Sequence, residues 1–408
     1  MAHRKKRICF VVQRYGRSIV GGAEMLARGY VNRLKGEYDI DVLTSCATDY
    51  NTWKNVYAEG KYDDDGVGIY RFASERKRND AQLVRLTQQV YGDPYHDLKT
   101  AAAWLREVGP YCPGLLRFIK EEQSRYDAFI FVGYHYYTAT CCMPLVAEKS
   151  IFVPTAHDEE PLRKCNYFKF LFNIPRAIIY LTDVERDFVQ SFFRNGRIAS
   201  AVVGSGVDIM RRQPLAEEAK FKYALHGPYI VYTGRIDESK NCNSLVEMFL
   251  QYKERYGGAL KLLLVGEKRM DVPLREDISC TGFVEENEKL QLLGNAKAFV
   301  MPSENESLSI SLLEAMACGV PTLVNGRSEV LKGHIEKSNS GLYYKDSLQF
   351  MSALAYLLDE TNSIQAMCEN GVQYVRQNYN WQDVIKKLCF LIDGVCSKEL
   401  YLCEDLNI

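Results

Sequence analysis

Apolar residues in this chain fall into short continuous runs, separated by longer stretches in which they recur every three or four positions. The runs at residues 8–12, 39–43, 68–72, 127–133, 151–154, 177–181 and 199–203 read as strands of one sheet. Those at 229–233, 260–265, 298–301 and 341–344 read as strands of a second. Short apolar runs bounded by turn residues suit strands buried on both faces. Between them the period is helical. After Gly21-Gly22, the positions Ala23, Leu26, Tyr30 and Leu34 place one apolar face inward. Residues 74–122 read as mostly helical and polar, broken at Gly109-Pro110-Tyr111-Cys112-Pro113. The stretch 302–321 predicts a polar loop and a helix of about three turns at most, stopped by Gly319 and Pro321. Helices over 348–379, a last apolar helix opening at Asn380-Trp381 and a loose tail after Lys398 complete the pattern.

Strand and helix alternate in two halves, which predicts an α/β protein of two doubly wound domains. The length of 408 residues is too great for one ordinary core and agrees with that division. The expected domains are 1–206 and 207–380, with 381–408 as a final helix. No long Gly/Ser stretch separates them, so a tight hinge is expected. Net charge is −1, which gives no global attraction to nucleic acid or anionic lipid. No window is apolar over the length that spans a membrane. The opening Met1-Ala-His-Arg-Lys-Lys-Arg looks like the basic start of a signal peptide. The apolar run after it is too short for one and reads as a strand. Thirteen cysteines are an odd, scattered set without paired C-x-x-C spacing. Cys9, Cys318 and Cys389 sit in apolar runs as small hydrophobes, which points to a reducing cytoplasm and no structural metal.

Candidate chemistry gathers where strands end. Glu306 and Glu314 are separated by seven residues, one in the loop after a strand and one in the following helix. That crevice is where open α/β sheets bind ligands, and the helix start offers free N–H groups to a phosphate. The competing reading makes Ser311-Leu312-Leu313-Glu314 a capping box and Glu306 a solvated acid. Arg235 and Lys240, flanking a turn after a strand, suit a diphosphate or are simple surface charges. Gly21-Gly22 is a phosphate cradle or an ordinary βα turn. His157-Asp158 at a strand end is a site, or Asp158 caps a helix. Asp63-Asp64-Asp65 invites a metal but, before Gly66, reads better as a turn. Tyr134-His135-Tyr136-Tyr137 could stack on sugar rings or pack the domain. Residues 162–176 mix cations with aromatics, as on an anionic membrane surface or in a helix with a buried aromatic face.

The string Glu306-x7-Glu314 followed by Ala315-Met316-Ala317-Cys318-Gly319-Val320-Pro321 resembles the donor-site signature of family 4 retaining glycosyltransferases. Gly234-Arg235 with Lys240 is similar to that family's Gly-Arg-x4-Lys. Gly204-Ser205-Gly206-Val207-Asp208 resembles its Asn-Gly-Val-Asp turn, with serine replacing asparagine. The resemblance covers nearly the whole chain. It implies the GT-B fold, with two Rossmann-like domains facing a cleft and the last helix crossing back to the first domain. It implies Glu306 near the donor sugar, Glu314 on the ribose hydroxyls, and Arg235 and Lys240 as the diphosphate clamp. Gly21, Gly22, Gly266, Phe283 and Val284 would line the donor site, and His157 would lie beside the reacting centre with Asp158 orienting it. Ser307-Leu308-Ser309 stands where the family often has Gly-Phe-Gly, which leaves the donor sugar open. The implied activity is retaining transfer from a UDP- or GDP-sugar to a cell-surface polysaccharide or lipid-linked oligosaccharide. It would need no metal and no cofactor, and would take place in the cytoplasm, with peripheral contact of 162–176 on the inner membrane surface left open. The alternatives are a nucleotide-sugar epimerase and a non-catalytic binding partner on the same scaffold.

Overall fold

The computed structural model describes residues 4–19, 21–209 and 213–399; the tail read as loose lies, from residue 400, outside them. By its contacts the chain divides into one unit running to Ser205 and resuming at Val384, and a second, Gly206–Asp383.

The first unit is an eight-stranded sheet in the order β3-β4-β2-β1-β5-β6-β7-β8. Its strands are β1 (Arg7–Val11), β2 (Asp39–Ser45), β3 (Gly60–Asp64), β4 (Val67–Phe72), β5 (Ala128–Val132), β6 (Ser150–Val153), β7 (Ala177–Tyr180) and β8 (Ala199–Val202). All neighbours are parallel except β3, which pairs with β4 as a hairpin. The sequence pattern missed β3 because Gly-Lys-Tyr-Asp-Asp is polar throughout, as suits a charged edge that discourages further pairing. The aspartates around it are engaged. Arg17 reaches Asp64 at 2.6 Å, Lys35 pairs with Asp65, and Asp63 accepts from the Gly66 N–H at 3.2 Å. The central strands read as apolar runs because helices cover both faces. The core under them is aromatic, with Trp104, Phe129, Phe131, Phe152, Phe168 and Phe172 buried.

Residues 162–176 form no single helix. They contribute to Glu160–Lys164 and Tyr167–Leu171. Phe168, Leu171 and Phe172 are buried, Phe172 stacks on Phe193 at 4.2 Å between centroids, and Phe170 is the exposed ring. Among the described residues no helix is long and apolar enough to cross a membrane. The last helix, Trp381–Ser397, is tied to the first unit through Asp393, which accepts from Lys6 and from the Tyr38 hydroxyl, both at 2.9 Å.

The second unit is a six-stranded parallel sheet in the order β11-β10-β9-β12-β13-β14. Its strands are β9 (Tyr229–Thr233), β10 (Lys261–Val265), β11 (Ile278–Cys280), β12 (Ala298–Met301), β13 (Thr322–Asn325) and β14 (Gly341–Tyr344). The short β11 and β13 were absent from the sequence reading, as was the helix Glu329–Ser338. β9 and β12 lie side by side at the centre, so the loops leaving their carboxyl ends emerge together.

A capped helix start joins two of the first unit's loops, at Thr182-Asp183-Val184-Glu185. Thr182 Oγ1 accepts from the Glu185 N–H at 3.1 Å. The Glu185 carboxylate accepts from the Leu181 N–H and from the Ala156 N–H beyond β6, both at 2.6 Å. Burial pushes this carboxyl up to about 8 against the pull of those two donors. Replacing Glu185 by alanine orphans both N–H groups, and the expected loss is about 3 kcal/mol of unfolding free energy. A lower urea midpoint at unchanged slope would show it; an unmoved midpoint would mean that the two amides find other acceptors.

Candidate functional site

In the second unit, β9 runs into Gly234-Arg235, and a short turn Glu238–Lys240 follows, capped by Asp237, which accepts from the Lys240 N–H at 2.9 Å. This turn aims Lys240 across to the loop after β12. Its Nζ lies 2.7 Å from Glu306 Oε1. Arg235 stands 3.6 Å from Asp237. The base of the β12 loop is fixed at the Pro302 carbonyl, which accepts from Asn241 at 3.2 Å and Asn325 at 2.9 Å. Thus Arg235, Lys240 and Glu306 come to one edge of the sheet, as their places after neighbouring strands predict.

The helix Ile310–Ala317 begins at Ser309, whose φ of 67° is left-handed and whose side chain makes no cap bond. Such a conformation in a residue other than glycine costs about 1–3 kcal/mol. The Ser311–Glu314 capping box is therefore corrected: the cap is Ser309, and Glu314 lies too far into the helix to reach back. Its carboxylate turns instead to Lys289 at 2.8 Å, on the helix Glu286–Gly294, and Lys289 also reaches Glu286 at 2.9 Å. Glu314 is buried. Burial drives its carboxyl up, and the Lys289 ammonium opposes that. Burial also works against the Lys289 charge, but Glu314 and Glu286 outweigh it and hold the ammonium above its ordinary range. Lys289 was not singled out in the sequence, where it is one of many helical lysines.

Ser307 is half-buried and Leu308 is buried. Gly266 closes β10 with φ at 142°, and a side chain there would overlap the Gly234 carbonyl. This close approach lets the two strand ends sit together, and a bridge from Gly266 to Gly282 brings Phe283 and Val284 alongside. Phe283 is 49% exposed, an aromatic face open to a planar ligand.

In the first unit, the helix Gly22–Leu34 starts at Gly21. Glu24 folds back over this start and accepts from Gln13 Nε2 at 2.9 Å and from Arg14 Nε at 2.8 Å. A side chain at 21 would overlap the Glu24 carboxylate, so the glycine leaves room for a protein carboxylate. Arg14 and Glu24 are buried together and were missed, since nothing in their spacing marks the pair.

His157 follows β6 with its Nε2 3.5 Å from Glu159 Oε1, and the Tyr134 hydroxyl donates to the same oxygen at 2.7 Å. The role foreseen for Asp158 is corrected. Glu159 occupies the cap position of Glu160–Lys164 without a side-chain cap bond, and it is Glu159 that meets His157. Asp158 instead binds Arg163. The Tyr134–Tyr137 cluster serves packing, with Tyr134 against Phe168 at 5.0 Å and Trp53 against Tyr136 at 5.6 Å. Among the described residues no group of His, Cys, Asp and Glu is arranged to hold a metal ion.

Residues 216–374 match the family described as Glycosyl transferases group 1. The chain is 20% identical to mannosylfructose-phosphate synthase of Agrobacterium fabrum over 71% of its own length and 73% of that protein. It is 26% identical to the GDP-mannose-dependent monoacylated alpha-(1-6)-phosphatidylinositol monomannoside mannosyltransferase of Corynebacterium glutamicum, over 47% of this chain and 55% of that one. Among solved structures, sucrose-phosphate synthase from Thermosynechococcus elongatus superposes with a TM-score of 0.70 at 14% identity, over 97% of this chain and all of that one. Anabaena Alr3699/HepE in complex with UDP and glucose gives 0.67 at 12% identity, over 95% of this chain and all of that one. The likeness to the solved structures is one of fold, and the fold is GT-B.

Replacing Lys289 by methionine strands Glu314 in the interior. Removing one member of a buried pair costs about 3–5 kcal/mol, and Lys289→Arg is expected to recover most of it. Denaturant titration at neutral pH reads both variants; a wild-type midpoint for the methionine variant would show that Glu314 finds water instead.

Proposed function

We propose that this chain, whose residues 216–374 match Glycosyl transferases group 1, moves a sugar, with retention of anomeric configuration, from a UDP- or GDP-sugar to a hydroxyl of a growing cell-surface polysaccharide or lipid-linked oligosaccharide. The observation that carries this reading is the pair of lysine-held carboxylates at one sheet edge, Lys240 with Glu306 and Lys289 with Glu314, at 2.7 and 2.8 Å.

Each has a role that its chemistry suits. Glu314 keeps a second carboxylate oxygen to accept from the vicinal ribose hydroxyls. Arg235 and Lys240 supply positive charge as the bond from the anomeric carbon to the diphosphate oxygen breaks, and the free N–H groups at the start of Ile310–Ala317 add to it. The acceptor hydroxyl attacks the anomeric carbon on the face that the diphosphate leaves, and its proton passes to the departing phosphate oxygen. Glu306, held by Lys240, binds the sugar rather than attacking it; attack would call for an unencumbered carboxylate beside the anomeric carbon. His157 is the first unit's own candidate for contact with a sugar. The scheme calls on no metal and no cofactor.

Calorimetric titration of UDP, GDP and ADP into the wild type and Glu314→Ala tests the donor site. One nucleotide is expected to bind, and the variant to lose about tenfold or more in affinity. Arg235→Ala is expected to lower turnover by about a hundredfold or more, as the loss of a charge-stabilising donor does. A wild type that binds none of the three nucleotides would sink the reading.

A further inference from the structure

One buried polar relay in the second unit has no part in the transfer scheme. His334, on the helix Glu329–Ser338, is 3% exposed. Its Nδ1 lies 3.0 Å from the Tyr374 hydroxyl and its Nε2 lies 3.0 Å from the Leu308 carbonyl oxygen. A carbonyl only accepts, so Nε2 carries the proton and Nδ1 accepts from the tyrosine. The neutral ring thereby uses its one donor and its one acceptor, and burial keeps it neutral, pushing its pKa down to about 4.

The carbonyl that His334 holds belongs to the loop between Glu306 and the helix start. In a trans peptide the C=O and the next N–H point in opposite directions. With the Leu308 carbonyl turned to His334, the Ser309 N–H is turned away from it, and among the described residues no protein group accepts that proton. Ser309 is also left-handed, with φ at 67°, and its buried hydroxyl makes no hydrogen bond. A residue this strained and this poorly partnered persists where its surroundings over-determine it. His334 is the side chain that does so on the peptide just before it.

We propose that the Tyr374–His334 relay is a positioning device for the donor sugar: by gripping the Leu308 carbonyl it presents the Ser309 N–H to the sugar beside Glu306. The proposal rests on the reading of this unit as the donor site. His334 acts through the loop and touches no reacting atom.

Wild type, His334→Ala, His334→Gln and Tyr374→Phe, each first shown to be folded by its thermal transition, are titrated by calorimetry with UDP, UDP-glucose, GDP and GDP-mannose. For the nucleotide that the wild type binds, His334→Ala is expected to keep affinity within about twofold while losing about tenfold for the matching nucleotide-sugar. His334→Gln, which retains an N–H donor, is expected to recover most of that loss, and Tyr374→Phe to fall between. Should His334→Ala fail to fold, Tyr374→Phe carries the same comparison. Equal losses for nucleotide and nucleotide-sugar, or no loss for either, overturn the positioning role and leave the donor site standing. A wild type that binds none of the four probes overturns the donor site itself, and the positioning role with it.

Discussion

The chemistry proposed for the second unit turns on the contact of Lys240 with Glu306, 2.7 Å apart on loops that leave neighbouring parallel strands. Parallel strands deliver their loops to one edge, so a lysine after β9 and an acid after β12 meet without any further device. The pairing changes what each can do. A lysine already held by a carboxylate is not a mobile clamp; its ammonium is placed before a ligand arrives and still has donors to spare, since it carries three. The acid in turn has one oxygen committed, which favours binding over attack. Glu314 repeats the arrangement with Lys289. Two acids that the sequence marks by their spacing are each held by a lysine, one of which the sequence does not mark.

The sheets were legible because strands buried on both faces must be apolar runs, and the runs are there. What escaped was polar or brief. β3 is an exposed edge of Lys, Tyr and Asp, and β11 has three residues. Among candidate residues, the places of Arg235, Lys240, Glu306 and His157 after strands were readable. Those fixed by a partner distant in the chain were not. Lys289 meets Glu314 across 25 positions and His334 meets Leu308 across 26, separations over which no local period carries information. The choice of Asp158 over Glu159 failed for a related reason. Both acids were available to His157, and Arg163, five residues on, took the first.

The capping box that competed for Ser311–Glu314 does not form there. Ser311–Glu314 has the spacing, but the helix starts at Ser309, so Glu314 faces a lysine rather than a free amide. Thr182–Glu185 has the same spacing, and there Thr182 does cap the helix while its glutamate reaches back to the Leu181 amide, one residue before the cap. Its glutamate then goes further, to the Ala156 amide one residue before His157. Glu24 occupies the equivalent third position of its own helix and there holds Gln13 and Arg14. In both cases a carboxylate near a helix start, where the dipole favours negative charge, fastens the loop after a strand. The stability gained by each contact is therefore also order in a loop that carries candidate chemistry.

Ser309 sets the opposite kind of problem. A glycine there would take the left-handed conformation at little steric cost; serine cannot, and its hydroxyl is buried without a partner. The protein holds this conformation from outside the loop. The Leu308 side chain is buried, its carbonyl is gripped by His334, and Tyr374 fixes the ring from a third helix. A glycine loop is free to settle around a ligand, whereas this one is set in advance. On the positioning role proposed for His334, its binding groups lose less freedom when a sugar arrives, and a donor whose hydroxyls fall elsewhere meets a loop that does not yield. On that proposal, strain in the ground state and selectivity for one donor have a common origin in the grip of His334 on the Leu308–Ser309 peptide.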